Sequence, residues 1–238
     1  MARSVSAPLP APASTAGAAY RVWDLPTRLF HALLALLIAA QYASAELHWL
    51  PMAWHYGLGY ATLILLLFRL LWGLVGSPSS RFRAFVHGPV AVLRYARAAQ
   101  RGAAPPSAGH NPLGGWSVLA LLASGLVQAL SGLMTSDDID EAGPLVDAVP
   151  LRWVARMSAV HALNRWVLLG LIALHLGAIA VHSLRDGGAL VAAMWHGRKR
   201  LAQDPQLRFA GLGRALAVLV LAAAAVAALL WIALAAAR

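Results

Sequence analysis

The 238-residue sequence contains no cysteine, which excludes disulfides, thiolate-bound metals, iron–sulfur clusters and covalently attached c-type haem. Charge is also scarce. Only 12% of the residues are charged and 60% are hydrophobic, whereas an average soluble domain carries roughly 25% charged residues. Lysine occurs once, at Lys199, so the net charge of +10 comes almost wholly from arginine. We therefore expect a membrane protein in which any metal or haem is held by histidine, methionine, carboxylate or backbone.

Five apolar runs approach or exceed the length that crosses a bilayer core, which takes about 20 residues. The runs cover residues 29–45, 53–75, 115–134, 159–184 and 212–237. They predict an all-α integral membrane protein with five transmembrane helices. Membrane lipid is therefore an expected partner. Nucleic acid is not, because cytoplasmic loops of membrane proteins are rich in arginine and lysine in any case.

Basic residues are unevenly divided between the segments that join the apolar runs. If the N-terminus is inside, the cytoplasmic segments hold fourteen arginines and lysines, whereas the opposite side holds three: Arg152, Arg156 and Arg238. The segment between the third and fourth runs is acidic instead and contains Asp137, Asp138, Asp140, Glu141 and Asp147. The positive-inside rule therefore predicts a cytoplasmic N-terminus and, after five spans, a periplasmic C-terminus.

Residues 1–19 are rich in alanine, proline and serine and carry no helical period, which predicts a disordered cytoplasmic tail. A signal peptide is an alternative interpretation of the residues that follow. Arg21 and Arg28 precede the first apolar run, and Ala43-Ser44-Ala45 resembles a cleavage site. Its N-terminal region would be unusually long and His31 would interrupt its apolar core, so we favour a retained first helix.

Five of the nine histidines lie in the apolar runs: His31, His55, His161, His175 and His182. Ionisable residues inside a membrane are costly and usually mark a functional site within the bundle. His161 and His175 are 14 residues apart. At 100° per residue they share one helix face, about 21 Å apart along the axis. Two metals at such different depths indicate an electron path across the membrane rather than one catalytic centre.

Depth in the membrane predicts the partners of these histidines. His31 lies near the cytoplasmic end of the first helix, and His55 lies near the periplasmic end of the second. The fourth helix enters from the periplasm, which pairs His55 with His161 and His31 with His175. In a helical bundle without cysteine, two such bis-histidine sites predict two b-type haems.

His182 competes with His175 as the partner of His31, because it lies seven residues further along the same face. The rise from His161 to His182 is about 31 Å, nearly the whole bilayer core. The first two helices instead place the levels of His31 and His55 about 17 Å apart. That spacing favours His175.

Three further residues lie one helical turn from these histidines. Gly59 either clears space for a haem or packs against a neighbouring helix. Arg28 and Arg165 either pair with haem propionates or lie in the membrane interface. Arg69, His110 and Asn111 are candidates for contact with quinone or a propionate from their positions alone.

Several sequence segments together carry a resemblance to a known family: VWDLPTRLFH at 22–31, HYGLGYATLILLLFRLLWGLVG at 55–76, GHNPLGGW at 109–116, VHALN and ALH in the fourth helix, and HGRK at 196–199. Over about residues 20–200 the chain resembles the bacterial transmembrane di-haem cytochromes b, which group bacterial cytochrome b561 with the b-type subunits of nickel–iron hydrogenases. The resemblance implies a four-helix transmembrane bundle that binds two haems through His31, His55, His161 and His175, with a fifth transmembrane helix beyond it at the C-terminal end. It also implies a protein of the bacterial inner membrane that passes electrons between the quinone pool and a periplasmic c-type cytochrome or hydrogenase.

These inferences divide the chain into a tail at 1–19, a di-haem cytochrome b domain at 20–200, and a linker with the fifth helix at 201–238. Two alternatives remain open, a quinone-linked oxidoreductase that acts alone on a small oxidant and a metal-ion transporter lined by histidines. A transport path should also carry carboxylates, and no Asp or Glu lies within the apolar runs. A structural anchor that has lost its haem fits poorly with four correctly spaced histidines. Homo-oligomerisation also stays open.

Overall fold

The computed structural model describes residues 17–47, 49–105, 107–137, 139, 141–186 and 188–236. The helices in these ranges are α1 (Leu25–Glu46), α2 (Met52–Val75), α3 (Phe82–Phe85), α4 (Pro89–Gln100), α5 (Pro112–Gly132), α6 (Leu151–Asp186), α7 (Ala189–His196) and α8 (Leu212–Ala236). Within this described part of the chain, α1, α2, α5, α6 and α8 are long and apolar enough to span a membrane. The predicted all-α membrane fold with five spans is confirmed.

A two-stranded ribbon joins the beginning of the described chain to the segment after α7. Strand β1 (Ala18–Arg21) pairs antiparallel with β2 (Arg198–Leu201). Ala18 and Ala19 therefore form part of a strand, although the sequence places them in a disordered tail; residues 1–16 of that tail lie outside the described residues. Local sequence does not indicate this strand, because its partner lies beyond the fourth span.

Two spanning helices begin at side-chain caps that are visible in the sequence. Asp24 Oδ1 accepts a hydrogen bond from the Thr27 backbone N–H (2.8 Å), with proline in the first turn of α1. Asn111 Oδ1 accepts in the same way from the Gly114 N–H (2.7 Å) at the start of α5. Each cap satisfies a backbone donor that the first turn leaves without a partner.

Helix α6 begins eight residues earlier than the apolar run at 159–184 indicates. Arg152 and Arg156 lower the hydropathy of its first two turns, but the helix starts directly after Pro150. Its 36 residues span about 54 Å, well beyond the bilayer core of about 30 Å. The extra turns therefore extend the helix past the membrane core.

Helix α2 is the centre of the bundle, since it packs against α1, α5 and α8, while α5 also packs against α6. Its buried Leu66 and Trp72 share one apolar cluster with Phe30 of α1, Leu122 of α5 and Ala222 of α8. The fifth spanning helix is thus attached to the other four chiefly through α2.

The connections between the helices define two ends of the bundle. The α1–α2 and α5–α6 connections form the acidic end, which carries Asp137, Glu141 and Asp147. The arginine-rich end comprises β1, the α2–α5 connection with α3 and α4, and the α6–α8 connection with α7 and β2.

Candidate metal centres

Four of the predicted site residues form two pairs in the bundle. Near the arginine-rich end, the ring centroids of His31 on α1 and His175 on α6 are 6.3 Å apart. Near the acidic end, those of His55 on α2 and His161 on α6 are 6.5 Å apart. These are the two pairs that depth in the membrane predicts. Helix α6 contributes one histidine to each pair, at two levels about 21 Å apart along its axis.

Both separations suit two imidazoles on opposite sides of one iron atom. Metal–nitrogen bonds of about 2 Å, each with about 1 Å from nitrogen to ring centre, put the two centroids about 6 Å apart. A porphyrin supplies four further ligands, so two imidazoles complete a haem site. Within the described ranges, no group of three or more His, Asp or Glu side chains is arranged to hold a metal ion. The donor set therefore fits haem better than a metal ion held by protein side chains alone.

Backbone and hydroxyl groups orient the pair near the acidic end. His161 Nδ1 lies 3.0 Å from the Gln128 carbonyl oxygen, which accepts only, so Nδ1 carries the proton. Ser131 Oγ lies 3.3 Å from the same nitrogen. His55 Nδ1 lies 3.1 Å from Ser44 Oγ, whose hydroxyl donates to the Gln41 carbonyl. Such bonds fix a ring and leave its Nε2 available to a metal.

One glycine of α5 packs directly against the His161 ring. A Cβ built on Gly132 would lie 2.9 Å from His161 Cε1, closer than real side chains approach. Gly59, the predicted site glycine, is less crowded, because its Cβ would meet only the Gln41 amide at 3.3 Å. Gly132 therefore packs directly against a paired histidine, whereas Gly59 does not. The signal available in the sequence was its seven-residue spacing from Gly125 on one face of α5.

The two predicted propionate partners already contact protein groups. Arg28 Nε donates to the Met194 carbonyl (3.1 Å), and its terminal nitrogen donates to the Trp195 carbonyl at the end of α7. Arg165 forms an ion pair with Glu46, the last residue of α1. Arg28 therefore ties α1 to α7, and Arg165 ties α6 to α1. Their contact with a propionate stays a prediction.

The competing histidine of α6 makes a contact within its own helix. His182 Nδ1 lies 2.9 Å from the Ala178 carbonyl oxygen, one turn earlier. The ring beside His31 is that of His175. The geometry therefore favours the pair that contains His175.

Asp24 is a buried carboxylate near the arginine-rich end that the sequence analysis did not single out as a site residue. Asp24 is 1% exposed and, besides capping α1, accepts a hydrogen bond from Trp72 Nε1 through Oδ2 (3.0 Å). The hydroxyl of Thr27 in turn shares a hydrogen bond with Ser80 (2.6 Å). The capping signal Asp-Leu-Pro-Thr was readable in the sequence, but its link to α2 depends on tertiary packing.

The three candidates for quinone or propionate contact differ in their surroundings. Asn111 uses its side-chain oxygen to cap α5. Arg69 is 2% exposed, and both of its terminal nitrogens are buried without a hydrogen-bond partner among the described residues. His110 Nδ1 is buried in the same way. Burial, and then the charge of Arg69, lower the pKa of His110 to about 3, so this imidazole is neutral.

Fold and site together define a class: multi-pass helical membrane proteins that carry paired histidines at two levels of one bundle. A family model described as prokaryotic cytochrome b561 matches residues 22–197, well over half of the chain. The chain belongs to the prokaryotic cytochrome b561 family, which confirms the resemblance. It is therefore a b-type cytochrome of a bacterial membrane, with a role in electron transfer. No curated protein and no solved structure matches the chain.

Proposed function

We propose that this chain binds two haems b, one between His31 and His175 and one between His55 and His161, and carries electrons across the membrane. The observation that supports this most directly is the double use of α6, which contributes a histidine to each pair at levels about 21 Å apart. A reaction confined to one centre requires only one level. Transfer between the two sides of a membrane requires both.

The protein's part in this function is to hold and orient the cofactors. Haem, when bound, supplies one-electron chemistry at its iron. The Gln128 carbonyl and the Ser44 hydroxyl orient His161 and His55 through Nδ1, so that Nε2 of each ring would be free to bind a haem iron. The His31–His175 pair near the arginine-rich end is carried by α1, which packs against α2, and by α6, which packs against α5. These four histidines would hold the two haems.

We further propose that the arginine-rich end lies in the cytoplasm and the acidic end in the periplasm of the bacterial inner membrane. The positive-inside rule supports this orientation. Asp137, Glu141 and Asp147 at the acidic end suit a basic partner surface, as a periplasmic c-type cytochrome or a hydrogenase subunit would offer. Membrane quinone is the proposed partner within the bilayer, since a lipid-soluble carrier reaches a protein embedded there.

Haem quantitation of the purified protein tests this function. We expect a b-type reduced-minus-oxidised spectrum and two haems per chain by pyridine haemochrome assay. Acid–acetone should extract all of the haem, because the chain has no cysteine for covalent attachment. One haem per chain, or haem that stays with the denatured protein, would contradict the proposal.

A further inference from the structure

Arg69 occupies a position on α2 that corresponds to the position of His175 on α6. It follows His55 by 14 residues, the spacing that separates His161 from His175. It therefore lies within about 40° of the His55 face and about 21 Å further along the helix. Because α2 and α6 both run from the acidic end to the arginine-rich end, Arg69 is level with the His31–His175 pair.

The guanidinium of Arg69 is buried without an acceptor. The residue is 2% exposed, and neither Nη1 nor Nη2 has a hydrogen-bond partner within the described ranges. Its central carbon lies 5.1 Å from the ring centroid of Phe82 and 5.9 Å from that of Phe85. These ring faces attract the cation but accept its N–H groups only weakly. The terminal N–H groups therefore have no acceptor among the described residues.

The carboxylate whose charge acts on Arg69 forms its hydrogen bonds with other groups. Asp24 acts on Arg69 through its charge. Its Oδ1, however, accepts from the Thr27 N–H and its Oδ2 from the Trp72 indole. A buried guanidinium without a hydrogen-bonded anion is costly, and the planar N–H fork matches a carboxylate in bidentate geometry. An additional carboxylate would therefore satisfy the terminal N–H groups of Arg69.

His110 adds a second donor at this place. Its ring centroid lies 4.7 Å from that of Phe85, the ring that also lies near Arg69. It is also close enough to Arg69 for the charge of the guanidinium to act on it. Its Nδ1 is buried and has no partner in the described part of the chain. A neutral imidazole offers one N–H donor to a carboxylate without adding charge.

We infer that Arg69, assisted by His110, binds a propionate carboxylate of the haem held by His31 and His175. This inference rests on the proposed function. The inference concerns only the haem near the arginine-rich end. Near the other histidine pair, Arg165 is already ion-paired with Glu46. Arg69 would thus hold the cofactor from α2, a helix that supplies no histidine at this level.

Replacement of Arg69 in the purified holoprotein tests the inference. In Arg69→Gln, we expect one of the two haems to transfer to apomyoglobin roughly 10- to 100-fold faster, the range for loss of a charge-assisted hydrogen bond. The midpoint potential of the same haem should fall, because the propionate charge near the iron is no longer balanced. The matched control is Arg94→Gln, which removes an equal charge from an exposed position on α4 at the same end.

Arg69→Lys separates a propionate anchor from a packing role. Lysine keeps the charge but lacks the fork, so we expect the midpoint potential to recover while haem release stays faster than in wild type. Equal release rates and potentials in Arg69→Gln and Arg94→Gln would overturn the inference, as would an equal effect on both haems. Wild-type protein with two haems would in either case leave the proposed function standing. Wild-type protein with one haem would instead refute the function.

Discussion

The imidazole of His161 is held between a carbonyl and a glycine of the same neighbouring helix: Nδ1 donates to Gln128 (3.0 Å), and Gly132 packs against Cε1. The two α5 residues are one turn apart, so the ring fits against one face of that helix. This contact fixes both the protonation state and the direction of the ring. It also makes the histidine sensitive to a single methyl group on α5.

Gly132→Ala should displace the His161 ring, because the new Cβ would lie 2.9 Å from Cε1. Overpacking of this kind costs about 1–3 kcal/mol, and here we expect it to weaken the haem near the acidic end. Haem content and the reduced-minus-oxidised spectrum measure the effect. The matched control is Gly170→Ala on α6, whose Cβ would meet no described atom within 4 Å. Full haem content in Gly132→Ala would show that the ring has room to move.

Asp24→Ala should destabilise the protein chiefly through two of its lost hydrogen bonds, the α1 cap and the bond from Trp72, which are shorter than the 3.5 Å bond from Ser80. Loss of the α1 cap costs about 0.5–2 kcal/mol, and the buried Trp72 N–H left without an acceptor costs about 1–3 kcal/mol more. Asp24→Asn is the control, because its single amide oxygen serves one of the two donors. Thermal unfolding in detergent should rank wild type above Asn and Asn above Ala. An alanine variant as stable as the asparagine variant would argue against the double role.

The charge bias predicts the membrane orientation. A reporter fused after Arg101 should read as cytoplasmic, and one fused after Glu141 should read as periplasmic. Paired alkaline phosphatase and fluorescent protein fusions at each position provide opposite signals. The reverse pattern would exchange the sides assigned to the two histidine pairs and move the acidic end to the cytoplasm.

Much of the fold could be predicted because hydropathy and bilayer thickness act locally. The five spans follow from the apolar runs alone. The predicted start of α6 was eight residues too late, because Arg152 and Arg156 lower the hydropathy of its first two turns. The β1–β2 ribbon could not be predicted, since each strand has only four residues and its partner lies at the other end of the matched region.

The histidine pairs were predictable for a geometric reason. Helix rise and entry side give a depth to each histidine, which leaves His161 as the partner of His55 and favours His175 over His182 as the partner of His31. The surroundings of the pairs were less accessible to sequence. The closeness of Gly132 to His161 and the burial of Arg69 depend on how α5 and α2 rotate about their axes, and side-chain packing sets that rotation.

The most direct test of two bis-histidine haems is the haem-to-protein ratio in single histidine variants, read together with the spectrum of the haem that remains. His31→Ala and His175→Ala should each retain one haem and share one spectrum, while His55→Ala and His161→Ala should share a second. His182→Ala should keep both haems and serve as the control within α6. If the loss follows His182 instead of His175, or if His31 groups with His161, the assignment of ligands by depth is wrong.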